Sequence, residues 1–124
     1  MINLKRAAVL EGMKKANDEF DLICRYLPSI DRSRSFEHVT SVLKMALTLD
    51  RNLTIGIDVS GNPKCNDQNE AIINEIQKAK DAGFKIAAHA GETKDSVNQA
   101  AGDLLRLTDR IGHGTHLVND SRSL

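Results

Sequence analysis

Apolar residues spaced three and four apart alternate along this chain with short continuous apolar runs, a pattern that predicts alternating helices and strands. Four segments have helical spacing, and they cover residues 3–17, 36–47, 67–82 and 93–105. Between them lie strand-like runs at Phe20–Leu27, Leu53–Val59 and Phe84–His89, and a shorter one that begins at Asp109. The chain is therefore predicted to consist of repeated helix–strand units.

Capping residues support these boundaries. Ser35 can cap the second helix, and Asp67 with Glu70 three residues later resembles a capping box at the start of the third. Gly83 is a natural end for that helix. Pro28 has no amide donor, so it must lie at the end of the first strand or on an edge.

The predicted strand ends fall at Asp31, Asp58, His89 and His113, roughly 24 to 31 residues apart. This is the length of one strand, one helix and two loops, so the strands are predicted to be parallel. Two architectures remain possible, namely an open doubly wound sheet or part of a (β/α)8 barrel. The sequence has neither Gly-x-Gly-x-x-Gly after a strand nor a phosphate-binding loop, which weighs against a nucleotide-phosphate version of the open sheet.

Composition narrows the function. The 124 residues carry a formal net charge of zero and have four aromatic residues besides histidine, so neither nucleic acid nor a membrane surface is an expected partner. Cys24 and Cys65 lie far apart and form no metal-binding pair. We expect both to be reduced thiols in a soluble cytoplasmic protein.

Candidate chemistry lies at the predicted strand ends. His89 and Glu92 follow a buried run, where an α/β enzyme places reactive groups. His113 stands between two glycines, which leaves its imidazole open to a ligand. Gly61 follows Asp58 closely and could offer its amide to a ligand. The structural alternatives are that His89 binds a loop, Glu92 stabilises a helix start, and Gly61 forms a tight turn.

Three blocks resemble the adenosine deaminase family of zinc aminohydrolases, and together they are specific for it. They are Gly56–Pro63 (Gly-Ile-Asp-Val-Ser-Gly-Asn-Pro), His89–Glu92 (His-Ala-Gly-Glu) and Arg110–Thr115 (Arg-Ile-Gly-His-Gly-Thr). The upstream segment Arg25–Arg32 is also similar, most of all to the adenosine deaminase-like branch, which includes the N6-methyl-AMP deaminases. The resemblance implies a metallo-dependent hydrolase barrel that hydrolytically deaminates a small purine nucleoside or nucleotide.

The same resemblance implies roles for individual residues. His89 is expected to be a Zn²⁺ ligand, and Glu92 the acid that protonates purine N1. His113 is expected to orient and deprotonate the attacking water that zinc activates. Gly61 is expected to contact the purine through its backbone. Independently of the resemblance, Asp58 at the end of the second strand is expected to be a buried carboxylate that supports neighbouring loops on the substrate-binding side. The Pro-Cys-x-x-Cys signature of the cytidine-type deaminases is absent.

Two family motifs are missing from this sequence: an amino-terminal His-x-His zinc pair and a carboxy-terminal Asp-Asp pair. Residues 1–124 are therefore expected to form a single incomplete domain, covering about the third to sixth barrel units, with an incomplete zinc ligand set. The alternative function is an inactive chain that acts by protein binding, and a different amidohydrolase is also possible. Adenosine and N6-methyl-AMP both remain open as substrates, because Asn62 replaces an acidic residue common in the family.

A partial barrel exposes two parallel sheet edges, so we expect the purified chain to be weakly stable or to self-associate through those edges. Size-exclusion chromatography with light scattering, combined with denaturant unfolding, measures both properties. A monomer with a sharp two-state unfolding transition would contradict this expectation.

Overall fold

The computed structural model describes residues 2–62, 70–94 and 103–117 of the chain. Its elements are α1 (Ile2–Glu19), β1 (Ser29–Asp31), α2 (Phe36–Leu47), β2 (Gly56–Ser60), α3 (Glu70–Asp81), β3 (Lys85–Ala90), α4 (Asp103–Leu107) and β4 (Arg110–His113). The predicted alternation of helices and strands is thus confirmed. None of the helices in this part of the chain has the length and apolar content that a membrane crossing requires.

The four strands form one parallel sheet in the order β1-β2-β3-β4. A doubly wound sheet reverses its strand order at a switch point, whereas a barrel adds each new strand beside the last. The sequential order therefore selects the barrel architecture from the two that the sequence leaves open. Within the described residues, β1 and β4 lie at the two edges of this sheet.

Side-chain alternation along the strands separates an apolar face from a polar one. Ile57 and Val59 of β2 and Ile86 and Ala88 of β3 are almost fully buried and belong to one hydrophobic core. The helices cover that face with Val39, Leu43 and Ala46 of α2, Ile72, Ile76 and Ala79 of α3, and Leu104 of α4. The opposite face carries Asp58, Ser60, Ala87 and His89, so polar groups collect on the side that faces away from the helices.

The helix boundaries follow local signals. The Ser35 side chain accepts a hydrogen bond from the His38 amide and caps α2, as predicted. Gly83 ends the third helix with a positive φ of 85°, a conformation that costs glycine little. The predicted capping residue Asp67 lies outside the described residues. Of the fourth predicted helix the structure describes Asp103–Leu107, while Val97, Ala100 and Ala101 lie outside that description.

The prediction of a strand over Phe20–Leu27 is wrong, because the strand begins after Pro28. Phe20 and Ile23 are 61% and 82% exposed, so this apolar run is not a buried strand. Tyr26 makes only an isolated bridge to Thr54. The Pro28 carbonyl accepts a hydrogen bond from the Asp58 amide, and the parallel pairing continues from Ser29. Because Pro28 lies just before β1, its lack of an amide hydrogen does not interrupt the strand pairing.

The second strand also begins later than predicted, at Gly56, and continues to Ser60. The predicted start at Leu53 falls in a turn, where the Leu53 and Thr54 amides both donate to the Asp50 carbonyl. The third and fourth strands lie where their apolar runs predict, with β3 reaching Ala90 and β4 ending at His113.

Asp109 joins the start of β3 to the segment before β4. Its carboxylate accepts a hydrogen bond from the Ile86 amide at 2.9 Å, and the ammonium groups of Lys85 and Lys80 lie 3.4 and 3.6 Å away. The Ile86 hydrogen bond, reinforced by the two lysines, lowers the pKa of Asp109 below its ordinary value.

A lowered carboxyl pKa stabilises the fold above the group's ordinary pKa of about 3.9, and the contribution disappears as the pH falls through the lowered value. We therefore expect Asp109→Asn to lower the melting temperature by several degrees at pH 7. It should also flatten the loss of stability on acidification. Thermal unfolding followed by circular dichroism between pH 7 and pH 3 measures both effects.

Glu19→Gln is the matched control, because Glu19 makes only an exposed pair with Lys15 at 3.6 Å. This variant should keep the wild-type melting temperature and pH profile. Equal profiles for Asp109→Asn and the wild type would show that Asp109 does not hold the strands together.

Candidate functional site

The polar residues of the sheet converge at the carboxyl ends of the strands. Asp31 pairs with Ser60 across β1 and β2, and His89 pairs with Gly112 across β3 and β4. Beneath them a cavity of about 340 Å³ opens on the polar face of the sheet. It is lined by Leu27, Asp58, Ala87, His89, Arg110 and Gly112. Two of the predicted site residues, Asp58 and His89, therefore face the same space.

The imidazole of His89 is held through its Nδ1 atom. Nδ1 lies 3.3 Å from Oδ1 of Asp58 and 3.4 Å from the carbonyl oxygen of Val59. Both partners are acceptors, so they favour the tautomer with the proton on Nδ1 and leave Nε2 as a lone-pair donor. Metal-ligating histidines are commonly oriented in this way by a carboxylate.

Asp58 is itself held by a hydroxyl network on the same face. Ser29 donates to Oδ2 of Asp58 at 3.2 Å, and its hydroxyl lies 2.7 Å from that of Ser60. The network crosses from β1 to β2 and fixes the carboxylate that faces His89. Sequence reasoning missed Ser29, because its proximity to Asp58 follows from strand register rather than from any local motif.

Gly112 makes room for the His89 ring. A Cβ atom at position 112 would lie 3.0 Å from Cδ2 and 3.3 Å from Nε2 of His89. The sequence links Gly112 only to its neighbour His113, whereas in the structure Gly112 also makes room for the histidine on the adjacent strand.

His113 and Glu92 form a second pair beside His89. The rings of His89 and His113 lie 5.4 Å apart with an angle of 56° between their planes. Nε2 of His113 is 3.8 Å from Oε2 of Glu92, within ion-pair range when the imidazole is protonated. His113 has φ of 67°, an uncommon backbone conformation for a residue other than glycine, and such conformations cluster at functional sites.

Gly61 lies at the neighbouring strand end, just beyond β2, with φ of 110°. A Cβ atom there would be 2.3 Å from Oδ1 of Asp31 and 3.1 Å from the amide nitrogen of Arg32, so only glycine fits. The contacts of Gly61 are thus with the β1 end rather than with His89. Hydrogen bonds from the Ser33 hydroxyl and amide and from Arg34 lower the pKa of Asp31.

The other two histidines and Cys24 lie away from the His89 ring. His38 is exposed on α2, and the His116 amide donates to the Gly91 carbonyl in the turn after β4. Cys24 is a half-buried free thiol, and Cys65 lies outside the described residues.

The donor set fits one ligand position of a zinc site. His89 has the free Nε2 and the carboxylate partner that such a ligand needs. Within residues 2–62, 70–94 and 103–117, however, no group of three or more histidine, cysteine, aspartate or glutamate side chains could hold a metal ion. A catalytic zinc site needs three protein ligands, so these residues do not form a complete one.

Comparison with known proteins agrees with the sequence resemblance. A family model described as adenosine deaminase matches residues 3–124. The chain is 34% identical over 114 residues to the N6-methyl-AMP deaminase of Mus musculus, an alignment that covers 89% of this chain and 31% of the relative. It is 29% identical over 117 residues to an adenosine deaminase of Clostridium perfringens, covering 94% of this chain and 35% of that protein.

A solved structure extends the agreement to the fold. An amidohydrolase from Burkholderia ambifaria, crystallised with bound Zn, superposes with a TM-score of 0.75 at 27% sequence identity. The match covers 93% of this chain and 32% of the amidohydrolase. The predicted barrel class and family resemblance are confirmed. The chain spans about a third of the length of the curated relatives that it matches.

Because the site depends on a close approach between β3 and β4, we expect Gly112→Ala to displace the His89 ring from Asp58. The new methyl group would lie within 3.0 Å of the ring unless the ring moves. Long-range ¹H–¹⁵N spectra of the imidazole nitrogens should show that the Nδ1-protonated tautomer loses its dominance in the variant.

Gly12→Ala is the control, since no atom outside the local helix lies within 4 Å of the position where its Cβ would be. This helix substitution should leave the His89 spectrum unchanged and raise stability by up to about 1 kcal/mol. An unchanged imidazole spectrum in Gly112→Ala would mean that Gly112 is not needed to seat His89.

Proposed function

The chain belongs to the adenosine deaminase family, and on this basis we propose that its strand ends form the purine-facing part of a zinc-dependent deaminase site. The reaction would be hydrolytic removal of the 6-amino group, or of a substituted amine, from adenosine or an N6-substituted AMP. The observation that carries the proposal is the pairing of His89 with Asp58 at 3.3 Å, beside His113 and Glu92.

His89 would hold the metal through Nε2, while Asp58 keeps the Nδ1 proton and the ring orientation. When bound, zinc would supply the acidity that makes water a nucleophile near neutral pH. The described residues would supply one ligand, His89, and its carboxylate partner, Asp58.

Glu92 would act as the general acid toward the purine. Nucleophilic attack at C6 places negative charge on the ring, and a carboxylic acid at N1 neutralises that charge as it develops. The site leaves Glu92 partly exposed at the turn after β3, where it can reach a ligand above the cavity. Its neighbour His113 would accept a proton from the attacking water and orient it.

Gly61 would bind the purine through its amide. A side chain at this position would collide with Asp31, so the backbone just after β2 carries no side chain beside its amide. The cavity of about 340 Å³ on the polar face is within the range of small-ligand sites. The relatives include proteins named for N6-methyl-AMP and for adenosine, and both substrates belong in the test.

A second candidate function is binding to another protein without turnover. The incomplete metal-donor set of the described residues favours it. Adenosine binding by the purified chain distinguishes the two functions, because a module that binds only protein would show no response to the purine.

We expect adenosine to shift the amide resonances of Gly61, Glu92 and His113 in a ¹H–¹⁵N correlation spectrum of the chain. Glu92→Ala, which removes the hydrogen-bond donor to purine N1, should weaken the fitted affinity by up to about tenfold, as expected for loss of one hydrogen bond. Glu70→Ala at the start of α3 is the matched control and should bind like the wild type.

The absence of any shift at millimolar adenosine would contradict the proposed purine site. In the same preparation we expect substoichiometric zinc and no amine release from adenosine or N6-methyl-AMP, because one ligand cannot retain the metal. Zinc-dependent turnover would support the deaminase function and overturn the assignment of a single ligand to this chain.

A further inference from the structure

Arg32 is a buried arginine that directly follows β1 and reaches across the sheet to β3. Its side chain donates from Nη2 to the carbonyl oxygen of His89 at 2.6 Å, and the residue is only 7% exposed. Its amide donates to the carbonyl of Ser60 at 2.9 Å. One residue therefore contacts the ends of β2 and β3, which carry the proposed purine contact and the proposed metal ligand.

The position of this hydrogen bond in the sheet is specific. The Lys85 amide donates to the Ile55 carbonyl, which shows that odd-numbered residues of β3 turn their backbone groups toward β2. In a continued ladder the carbonyl of His89 would accept from the amide of Gly61. The pairing of β2 with β3 stops instead at Val59 and Ala88, and the guanidinium of Arg32 occupies the acceptor at His89.

We propose that Arg32 is a positioning residue that replaces the Gly61 amide at the His89 carbonyl, so that β3 is held in place while the Gly61 amide faces the ligand. The ligand-facing role of the Gly61 amide rests on the proposed purine site. The hydrogen bond from Arg32 to the His89 carbonyl, which holds the end of β3, does not depend on that site.

The local packing agrees with a joint role for Gly61 and Arg32. A Cβ atom on Gly61 would lie 3.1 Å from the Arg32 amide nitrogen and 3.3 Å from Cγ of Arg32, so the arginine can pass beneath the strand end only because glycine follows β2. The charge-assisted hydrogen bond from Arg32 is stronger than the neutral hydrogen bond from a backbone amide that it replaces. On the other side of β3, the Gly114 amide holds the Ala90 carbonyl at 2.9 Å.

The test compares Arg32→Met with Arg34→Met in the full chain. Arg34 is the matched control, because it lies on the same loop, is exposed and pairs with Asp31 at 3.2 Å. We expect Arg32→Met to move the carbonyl ¹³C resonance of His89. Hydrogen exchange of the His89 amide should become about tenfold faster, since a hydrogen bond to a charged group is lost at the strand end. Arg34→Met should change neither.

Arg32→Lys covers the case in which Arg32→Met does not fold. A lysine keeps the charge but has a shorter reach and no planar fork, so the His89 carbonyl resonance should move in this variant too. An unchanged carbonyl resonance and unchanged exchange in both Arg32 variants would overturn the proposal. A purely structural role would instead accelerate exchange throughout the sheet, with no selective change at His89.

Adenosine titration separates the ligand-facing role of Arg32 from its role in holding β3. If adenosine shifts the Gly61 amide in the wild type, we expect about tenfold weaker binding in Arg32→Met and unchanged binding in Arg34→Met. Unchanged binding in Arg32→Met would overturn the ligand-facing role of Arg32. If the wild type shows no shift, the purine site fails, and the carbonyl and exchange measurements still decide whether Arg32 holds β3.

Discussion

In a parallel sheet the carboxyl ends of all strands lie at the same end of the sheet, and the pairing register decides which residues meet there. Here the register places His89 beside Gly112 and brings Asp58 of β2 next to the His89 ring. Side chains alternate between two faces, so a slip of one residue in β3 would turn His89 into the helix layer and Ala88 toward the cavity. The burial of Ile86 and Ala88 against the helices opposes such a slip. The hydrophobic core and the candidate site thus depend on the same backbone pairing.

Directional hydrogen bonds organise the polar face of the sheet. Ser29, Ser60 and Asp58 form a hydroxyl–carboxylate network that ends at the His89 ring, and Arg32 donates to the His89 carbonyl. Hydrogen bonds of this kind are directional, so they fix orientation as well as distance. The ion pairs of the described residues include Lys15 with Glu19 on a helix surface, Arg34 with Asp31 at the end of β1, and Lys85 with Asp109 at the start of β3.

Much of the architecture could be predicted because its signals are local. The Ser35 cap, the apolar stripe of α2 and the Gly83 turn each depend on residues close in sequence, and all three lie where expected. The run Phe20–Leu27 wrongly predicts the first strand, because an apolar run is buried only where another element covers it. Phe20 and Ile23 are exposed. The candidate site was found by its histidines and glycines. Its supporting contacts join residues that are distant in sequence, with separations of 29 positions from Ser29 to Asp58 and 57 positions from Arg32 to His89. No local pattern reveals such contacts.

The backbone of His113 has a consequence for how this position can be studied by mutagenesis. Its φ of 67° lies in a region that alanine occupies at a cost, whereas asparagine and glycine adopt it more readily. An alanine scan would therefore mix two effects at position 113, the loss of an imidazole and the strain of a methyl group. Asparagine retains the backbone geometry while removing the titratable ring, and glycine removes both the ring and the strain. Comparing either substitution with the wild type isolates the loss of the imidazole from the backbone strain that alanine would add.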